Sequence, residues 1–222
     1  MSVTVIIPTL NEESRIASAI GSAFSAGASE VIVADGGSVD RTARFATSAG
    51  ARVLLSRPMR SRQLNQGAHS AAGDVLIFLH ADTSLPPGAA NAVEQALASG
   101  ADFGGFRLAF AETVLKLRLA AALINLRTAF TRCPWGDQAQ FIRRDTFLRA
   151  GAFREISLME DYDLAIRMKR SGRSILLPLT VTTSGRRFLR KGLLRTAVTN
   201  WRIVIRFRRG ADVEELARNY RR

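Results

Sequence analysis

Apolar residues in the first third of the chain fall into short β-rich runs separated by longer segments with helical spacing. Val3 to Ile7, Glu30 to Ala34, Arg52 to Leu55 and Val75 to Leu79 read as strands, and Glu13 to Ala26, Arg41 to Ala49 and Arg62 to Ala72 read as helices. That alternation predicts βαβ units around a parallel sheet, because parallel neighbours need a crossover long enough to hold a helix. Beyond Pro86-Pro87, a pair that suits a helix start, the pattern predicts a helix over Gly88 to Ala98 and an extended run over Asp102 to Phe110. A helix over Glu112 to Phe130 follows, and Pro134 and Gly136 break the pattern. A strand over Ala139 to Arg143, helices over Asp145 to Ala150 and Met159 to Arg170, and strands at Ile175 to Leu177 and Val181 to Thr183 complete the compact part. Phe188 to Arg209 reads as one long helix. With no repeat or linker in sight, residues 1–185 read as one α/β domain, and 186–222 as a basic helical tail packed on it or extending from it.

Composition narrows the class. The 222 residues are 47% hydrophobic and 23% charged, which is ordinary for a globular protein. The single cysteine, Cys133, excludes an intrachain disulfide and a four-thiolate zinc site, and it fits a reducing cytoplasm. The first residues lack the basic, apolar and small-residue pattern of a secretory leader, and no apolar run reaches the ~18 residues needed to span a bilayer. The expectation is a cytoplasmic chain, or one lying peripherally on a membrane face.

Charge is uneven. Of the net +13, residues 186–222 hold 12 basic and 3 acidic side chains. There Leu189, Leu193, Ala197, Trp201 and Val204 repeat at helical spacing, while Lys191, Arg195, Arg202, Arg206 and Arg209 mark another face. Such a helix can dock its apolar stripe on the domain or on a second copy of the chain, or rest on anionic lipid. Nucleic acid is disfavoured, because only Trp201, Phe207 and Tyr220 are interleaved with the basic residues.

In open α/β sheets, ligands bind beyond the carboxyl ends of the strands, so the residues just after each strand carry the candidate chemistry. After the first come Pro8-Thr9-Leu10-Asn11-Glu12, where Thr9 or Asn11 can also serve as a helix cap. After the second come Asp35-Gly36-Gly37-Ser38, in which the glycines let the backbone approach a ligand, Asp35 can accept from a base N–H, and Ser38 can cap the helix. The fourth strand delivers His80-Ala81-Asp82, and Asp82 can hold a divalent cation against a diphosphate. Ser157 and Glu160 have capping-box spacing, and Asp163 can pair with Arg167 one turn on. Asp161 has no such local partner, which makes it the better general base. With only two histidines a hydrolase triad is disfavoured. The triphosphate-binding loop and the dinucleotide glycine fingerprint are both missing.

Taken in order, Pro8-Thr9-Leu10-Asn11-Glu12, Asp35-Gly36-Gly37-Ser38, Asp40, Thr42, His80-Ala81-Asp82 and Glu160-Asp161 resemble the family 2 glycosyltransferases. Arg60 to Ala68 and Gly136-Asp137-Gln138 further resemble their short, stand-alone bacterial branch. The resemblance implies a GT-A fold, with a Rossmann-like, mostly parallel central sheet and flanking helices, and an inverting transfer from a nucleotide sugar, with UDP-sugars expected. It implies a nucleotide pocket of Pro8, Thr9, Asn11, Glu12, Asp35, Gly36, Arg60, Asn65, Ala81 and Asp82. Asp82 would take a divalent cation, Mn²⁺ or Mg²⁺, although His80 replaces the first acid of the family's metal motif. Asp161, with Glu160 beside it, would be the catalytic acid, working as base on an acceptor hydroxyl. The acceptor, or the departing phosphates, would meet Trp135, Gly136, Asp137, Gln138, Arg186 and Arg187. A lipid-linked acceptor is compatible with the tail, and the sequence does not identify the acceptor. Two alternatives remain at this level: a nucleotide-sugar-binding protein without turnover, and a sugar-phosphate nucleotidyltransferase.

Overall fold

The computed structural model describes residues 1–221, apart from the side chains of Lys191, Leu194 and Arg221. Lys191 of the basic face and Arg222 of the tail therefore lie outside what is described. An eight-stranded sheet runs through the molecule in the order β3-β2-β1-β4-β7-β6-β8-β5. The strands are β1 (Val3–Thr9), β2 (Glu30–Asp35), β3 (Arg52–Leu55), β4 (Val75–Phe78), β5 (Thr83–Ser84), β6 (Phe103–Phe110), β7 (Phe141–Arg143) and β8 (Ser174–Thr183). The β3-β2-β1-β4 half is parallel, as is β6 with β8. Strand β7 enters antiparallel between β4 and β6, and β5 caps the far edge antiparallel to β8.

The strand alternation sorts the core into two layers. Val3, Val5, Ile7, Val31, Val33, Val75 and Ile77 face one side, packed under Ile16 and Ile20 of α1 (Ile16–Ser25) and Val93 and Leu97 of α4 (Ala89–Ala98). Ile6, Ile32, Leu76 and Phe78 face the other, under Leu64 and Ala68 of α3 (Arg60–Ser70), Phe147 of α6 (Arg144–Arg149) and Leu164 and Met168 of α7 (Glu160–Ser171). Because both faces are covered, the central strands are continuous apolar runs rather than alternating ones. Helix α2 (Thr42–Ser48) flanks β3, and α5 (Leu115–Thr131) packs along β6.

Three local expectations are corrected. Ile175 to Leu177 and Val181 to Thr183 are parts of one strand, β8, which carries Pro178 through a register shift opposite Phe106 and Arg107 of β6. The long helix expected over Phe188 to Arg209 is two, α8 (Arg186–Lys191) and α9 (Leu193–Arg208), and a further helix, α10 (Val213–Arg221), follows it. Gly192, at φ +82° and ψ +145°, breaks the first from the second in a conformation open mainly to glycine. Ser157 and Glu160 form no capping box: Met159 stands at the start of α7 at φ +71°, and the Ser157 hydroxyl donates to Glu214 of α10 at 2.5 Å. The expected Asp163 and Arg167 pair is present at 2.8 Å, with Arg154 on the other carboxylate oxygen at 3.3 Å. Among the described residues no helix is long and apolar enough to cross a membrane.

Candidate active site

Two recesses meet at the carboxyl ends of β1 and β4. The smaller, of about 320 Å³, is lined by Pro8, Thr9, Leu10, Glu12 and Gln63, together with Arg60, His80, Ala81, Asp82 and Arg186. The larger, of about 670 Å³, lies between α5, the start of α7 and the tail helices, and shares Arg60, His80, Asp82 and Arg186 with the first. The shared residues form the boundary between the two spaces.

The loops that frame the smaller cleft are tied to each other rather than capping helices, which corrects the capping readings of Thr9, Asn11 and Ser38. The Thr9 hydroxyl donates to Asp35 at 3.1 Å, and Asn11 accepts from the Val39 N–H at 2.9 Å while its own N–H donates to Ser38. Asn11 sits at φ +55°, a conformation that asparagine tolerates better than most residues. Asp35 is buried, and its oxygens already accept from Thr9, the Ser38 hydroxyl and the Gly37 and Ser38 N–H groups. Beneath the cleft the buried Gln63 amide donates to the carbonyls of Thr9 at 2.8 Å and Ala34 at 2.7 Å, so α3 locks the ends of β1 and β2 together. Asn65 clips the backbone of Phe153 at both ends of its amide. Of the ten residues named for the nucleotide pocket, Pro8, Thr9, Glu12, Arg60, Ala81 and Asp82 therefore line the cleft. Asn11, Asp35, Gly36 and Asn65 stand behind or beside it.

Arg186 reaches over from α8 to bridge Glu12 at 3.0 Å and Asp82 at 3.4 Å. Burial pushes the Asp82 carboxyl above its usual range; Arg186 opposes this, and Glu12 adds to it. Two carboxylates thus share one guanidinium, and a divalent cation fits this corner through Asp82, since Mg²⁺-type sites need only one or two carboxylates with phosphate oxygens. Among the described residues there is no preformed group of three or more His, Cys, Asp or Glu side chains. His80, at the position of the replaced acid, takes another task. Its Nε2 lies 2.5 Å from Arg60 Nη2, and because a guanidinium only donates, that nitrogen accepts. Burial and the Arg60 charge hold the imidazole well below its ordinary pKa, so it is neutral.

Arg60 also pairs with the buried Glu160, Nε to Oε1, at 3.1 Å. Burial raises the Glu160 carboxyl, and Arg60 works against that. Beside them Asp161 Oδ2 accepts the Gly136 N–H at 2.6 Å and Oδ1 accepts the Tyr162 N–H at 2.7 Å, so the carboxylate is fixed in orientation on the wall of the larger recess. Gly136 is required for closeness: a methyl there would meet Arg60 Nη2, and would stand 2.8 Å from Asp161 Oδ2 and 3.2 Å from His80 Nε2. Trp135 lies against the Arg127 guanidinium, 3.8 Å from its ring centre, and edge-on to Tyr162. The Asp137 carboxyl, also on the cavity wall, is pushed up to about 6 by burial, and its Oδ1 is buried without a hydrogen-bond partner. Gln138 is wholly occupied with Thr128, Arg127, Trp135 and the Phe106 carbonyl, and holds the loop rather than facing a ligand. Arg187 lines the cavity, stacked on the Tyr220 ring.

Three residues that organise the site had escaped the sequence reading. Gln63 sits inside a segment already singled out, yet nothing local marks its reach to two strand ends. Gln140 donates to the carbonyls of Pro134 and Asp161, joining the Gly136 loop to the first turn of α7, and long-range contacts of this kind leave no sequence pattern. Arg127 did leave a signal, as the one charged residue between Leu119 and Phe130 in a mostly apolar stretch of α5.

Known proteins share this fold. A structure of glucosyl-3-phosphoglycerate synthase from Mycobacterium tuberculosis, in complex with Mn²⁺, UDP and glucosyl-3-phosphoglycerate, superposes with a TM-score of 0.58 over 82% of this chain and 70% of that one, at 23% identity. S. aureus TarS gives 0.64 over 83% of this chain and 37% of that one, at 16% identity. The fold is thus of the GT-A type. In sequence, 138 residues (56% of this chain) are 32% identical to the undecaprenyl-phosphate 4-deoxy-4-formamido-L-arabinose transferase of Pectobacterium carotovorum subsp. carotovorum (strain PC1), and cover 42% of that protein's length. The chain thus spans less than half of this curated relative. The sequence model described as glycosyl transferase family 2 matches residues 4–156, a span that holds the β1 loop, Arg60, Asp82 and the Gly136 loop. With that match over more than half of its length, the chain belongs to glycosyl transferase family 2.

Proposed function

We propose that the protein transfers a sugar from a nucleotide-sugar donor, with a UDP-sugar expected, to a hydroxyl of an acceptor seated in the larger recess. The observation that carries this reading is the meeting of two recesses at one set of residues, with the fixed Asp161 carboxylate on the larger side of the boundary. The smaller cleft suits the nucleotide: open backbone at Pro8 to Leu10, carboxylates at Glu12 and Asp82, and arginines at its border.

The chemistry follows from the charges. An acceptor hydroxyl loses its proton as it attacks the anomeric carbon, and Asp161 is the base placed to take it, with two backbone N–H groups keeping its oxygens aimed. Attack from the face opposite the leaving diphosphate inverts the anomeric centre. The diphosphate gains negative charge as it departs, and Arg60 and Arg186 border its side of the boundary. Asp82, with Glu12 beside it, would hold a divalent cation, which when bound supplies Lewis-acid stabilisation of that charge. Glu160 and His80 position Arg60, one by charge and the other as a neutral acceptor.

Calorimetric titration with UDP and GDP, in the presence of Mn²⁺, tests the donor half. Saturable binding is expected, and no binding of either nucleotide removes the central claim. Release of UDP from a panel of UDP-sugars above a no-protein control separates an enzyme from a binding protein without turnover. Pyrophosphate formed from a nucleoside triphosphate and a sugar phosphate would point instead to a nucleotidyltransferase.

A further inference from the structure

Helix α5 is apolar on two sides. Leu117, Ala120 and Ala121 bury against the domain, while Leu115, Leu119, Leu123, Leu126 and Phe130, spaced as one helical stripe, stay exposed, Phe130 at 81%. A surface helix ordinarily exposes a polar face, so this stripe is unpartnered. Helix α9 packs beside α5 and adds the exposed Val198 and Trp201. Leu123 and Trp201, 65% and 66% exposed, are also walls of the larger recess, so the recess opens onto this apolar face.

Charge decides what covers it. Residues 113–136 hold four basic side chains and residues 185–211 hold nine, and neither segment has a single acid. The net charge of the whole chain is +13, so these two segments carry all of it and the remainder is neutral. A second copy meeting this face about a two-fold axis would set like charge against like charge. An anionic bilayer offers both complements, negative headgroups for the arginines and an acyl interior for the leucine stripe.

We infer that the α5 and α9 face docks on an anionic membrane and that the acceptor is an amphiphile whose apolar chain enters the larger recess past Leu123 and Trp201, bringing its polar end to Asp161. The acceptor half rests on the larger recess being the acceptor side, as proposed above; the docking half does not. Sedimentation with vesicles of phosphatidylglycerol and phosphatidylcholine tests docking. The chain is expected to sediment with them, to stay in solution with phosphatidylcholine alone, and to detach as salt is raised. The double variant Leu119→Glu with Phe130→Glu, both exposed and outside the recess, is expected to weaken binding at least about tenfold, as loss of two apolar anchors requires. Its UDP affinity and melting temperature should match the parent. No sedimentation, or equal sedimentation of the variant, overturns docking, as does a parent dimer that the same variant splits in light scattering. Decyl phosphate, titrated below its micelle concentration, is expected to bind at one site and to lose that site in Ala197→Trp, which fills the recess wall. No binding, or binding indifferent to that change, overturns the acceptor half, while UDP titration separately reports whether the donor reading holds.

Discussion

Two neighbouring acids, Glu160 and Asp161, differ in what they touch. Glu160 is buried on the Arg60 guanidinium, whereas Asp161 is held by backbone N–H groups on the wall of the larger recess. Asp161→Asn is therefore expected to keep donor affinity and to lower transfer by at least ~10²-fold, the lower range for a lost general base. Glu160→Gln should act mainly on stability and on donor affinity, because it leaves Arg60 without its charged partner. Calorimetry beside a transfer assay distinguishes them, and exchanged phenotypes would show that the wrong acid had been named. Asp137 gives a pH signature. Its folded carboxyl is raised to about 6 from an ordinary 3.8, so the folded state binds the proton more tightly and stability falls as pH climbs from about 4 through 6. Asp137→Asn should be more stable than the parent at pH 7.5, by on the order of 1–3 kcal/mol after allowance for partial exposure, and so melt at a higher temperature, with no advantage at pH 3.5. An equal melting difference at both pH values would mean that the carboxyl is not strained by burial.

Elements were legible where their signal was local. The strands of the parallel half follow the apolar runs closely, since burial on both faces writes itself into consecutive residues. Asp163 and Arg167 were readable for the same reason, lying one helical turn apart. The capping readings failed because Thr9, Asn11, Ser38 and Ser157 each found a partner distant in sequence, and spacing within one helix cannot show a loop tied to a loop. The tail was read as continuous because its apolar spacing runs past Gly192, whose φ alone reveals the break. The rule of strand ends led to Asp82, which lines both recesses, and the lack of a local partner led to Asp161, which lines the larger one, whereas nothing local led to Gln63, which joins α3 to β1 and β2. Gln63→Leu would strip the buried Thr9 and Ala34 carbonyls of a donor, leaving Thr9 with the Gly36 N–H, at a total cost of about 1–3 kcal/mol. Thermal unfolding should register that loss, and the loosened β1 loop should weaken UDP binding as well. Parent-like stability would show that water or a local shift satisfies both carbonyls.

Across the whole molecule, Arg186 connects the ends of the chain. It starts the tail, yet its guanidinium lies on Glu12 from the first loop and Asp82 from the middle of the sequence. The two carboxylates there are already matched by guanidiniums, Arg186 between them and Arg15 on Glu12 at 3.3 Å, so no positive charge is spare, and burial strains Asp82 toward its protonated form. A nucleoside diphosphate brings further negative charge to the same corner, so its entry without a compensating cation is electrostatically opposed. Divalent cation and nucleotide should therefore bind cooperatively, each raising the affinity of the other by the same factor. In the parent chain, UDP affinity is expected to fall by about tenfold or more when Mn²⁺ is replaced by a chelator. Asp82→Ala should bind UDP weakly in Mn²⁺ and respond little to the chelator, because the carboxylate that couples the two ligands is gone. Calorimetry of both proteins in both buffers completes the cycle. Equal UDP affinity of the parent with and without chelator would remove the cation from the donor site and leave the arginines around it, Arg15, Arg60 and Arg186, to meet the diphosphate.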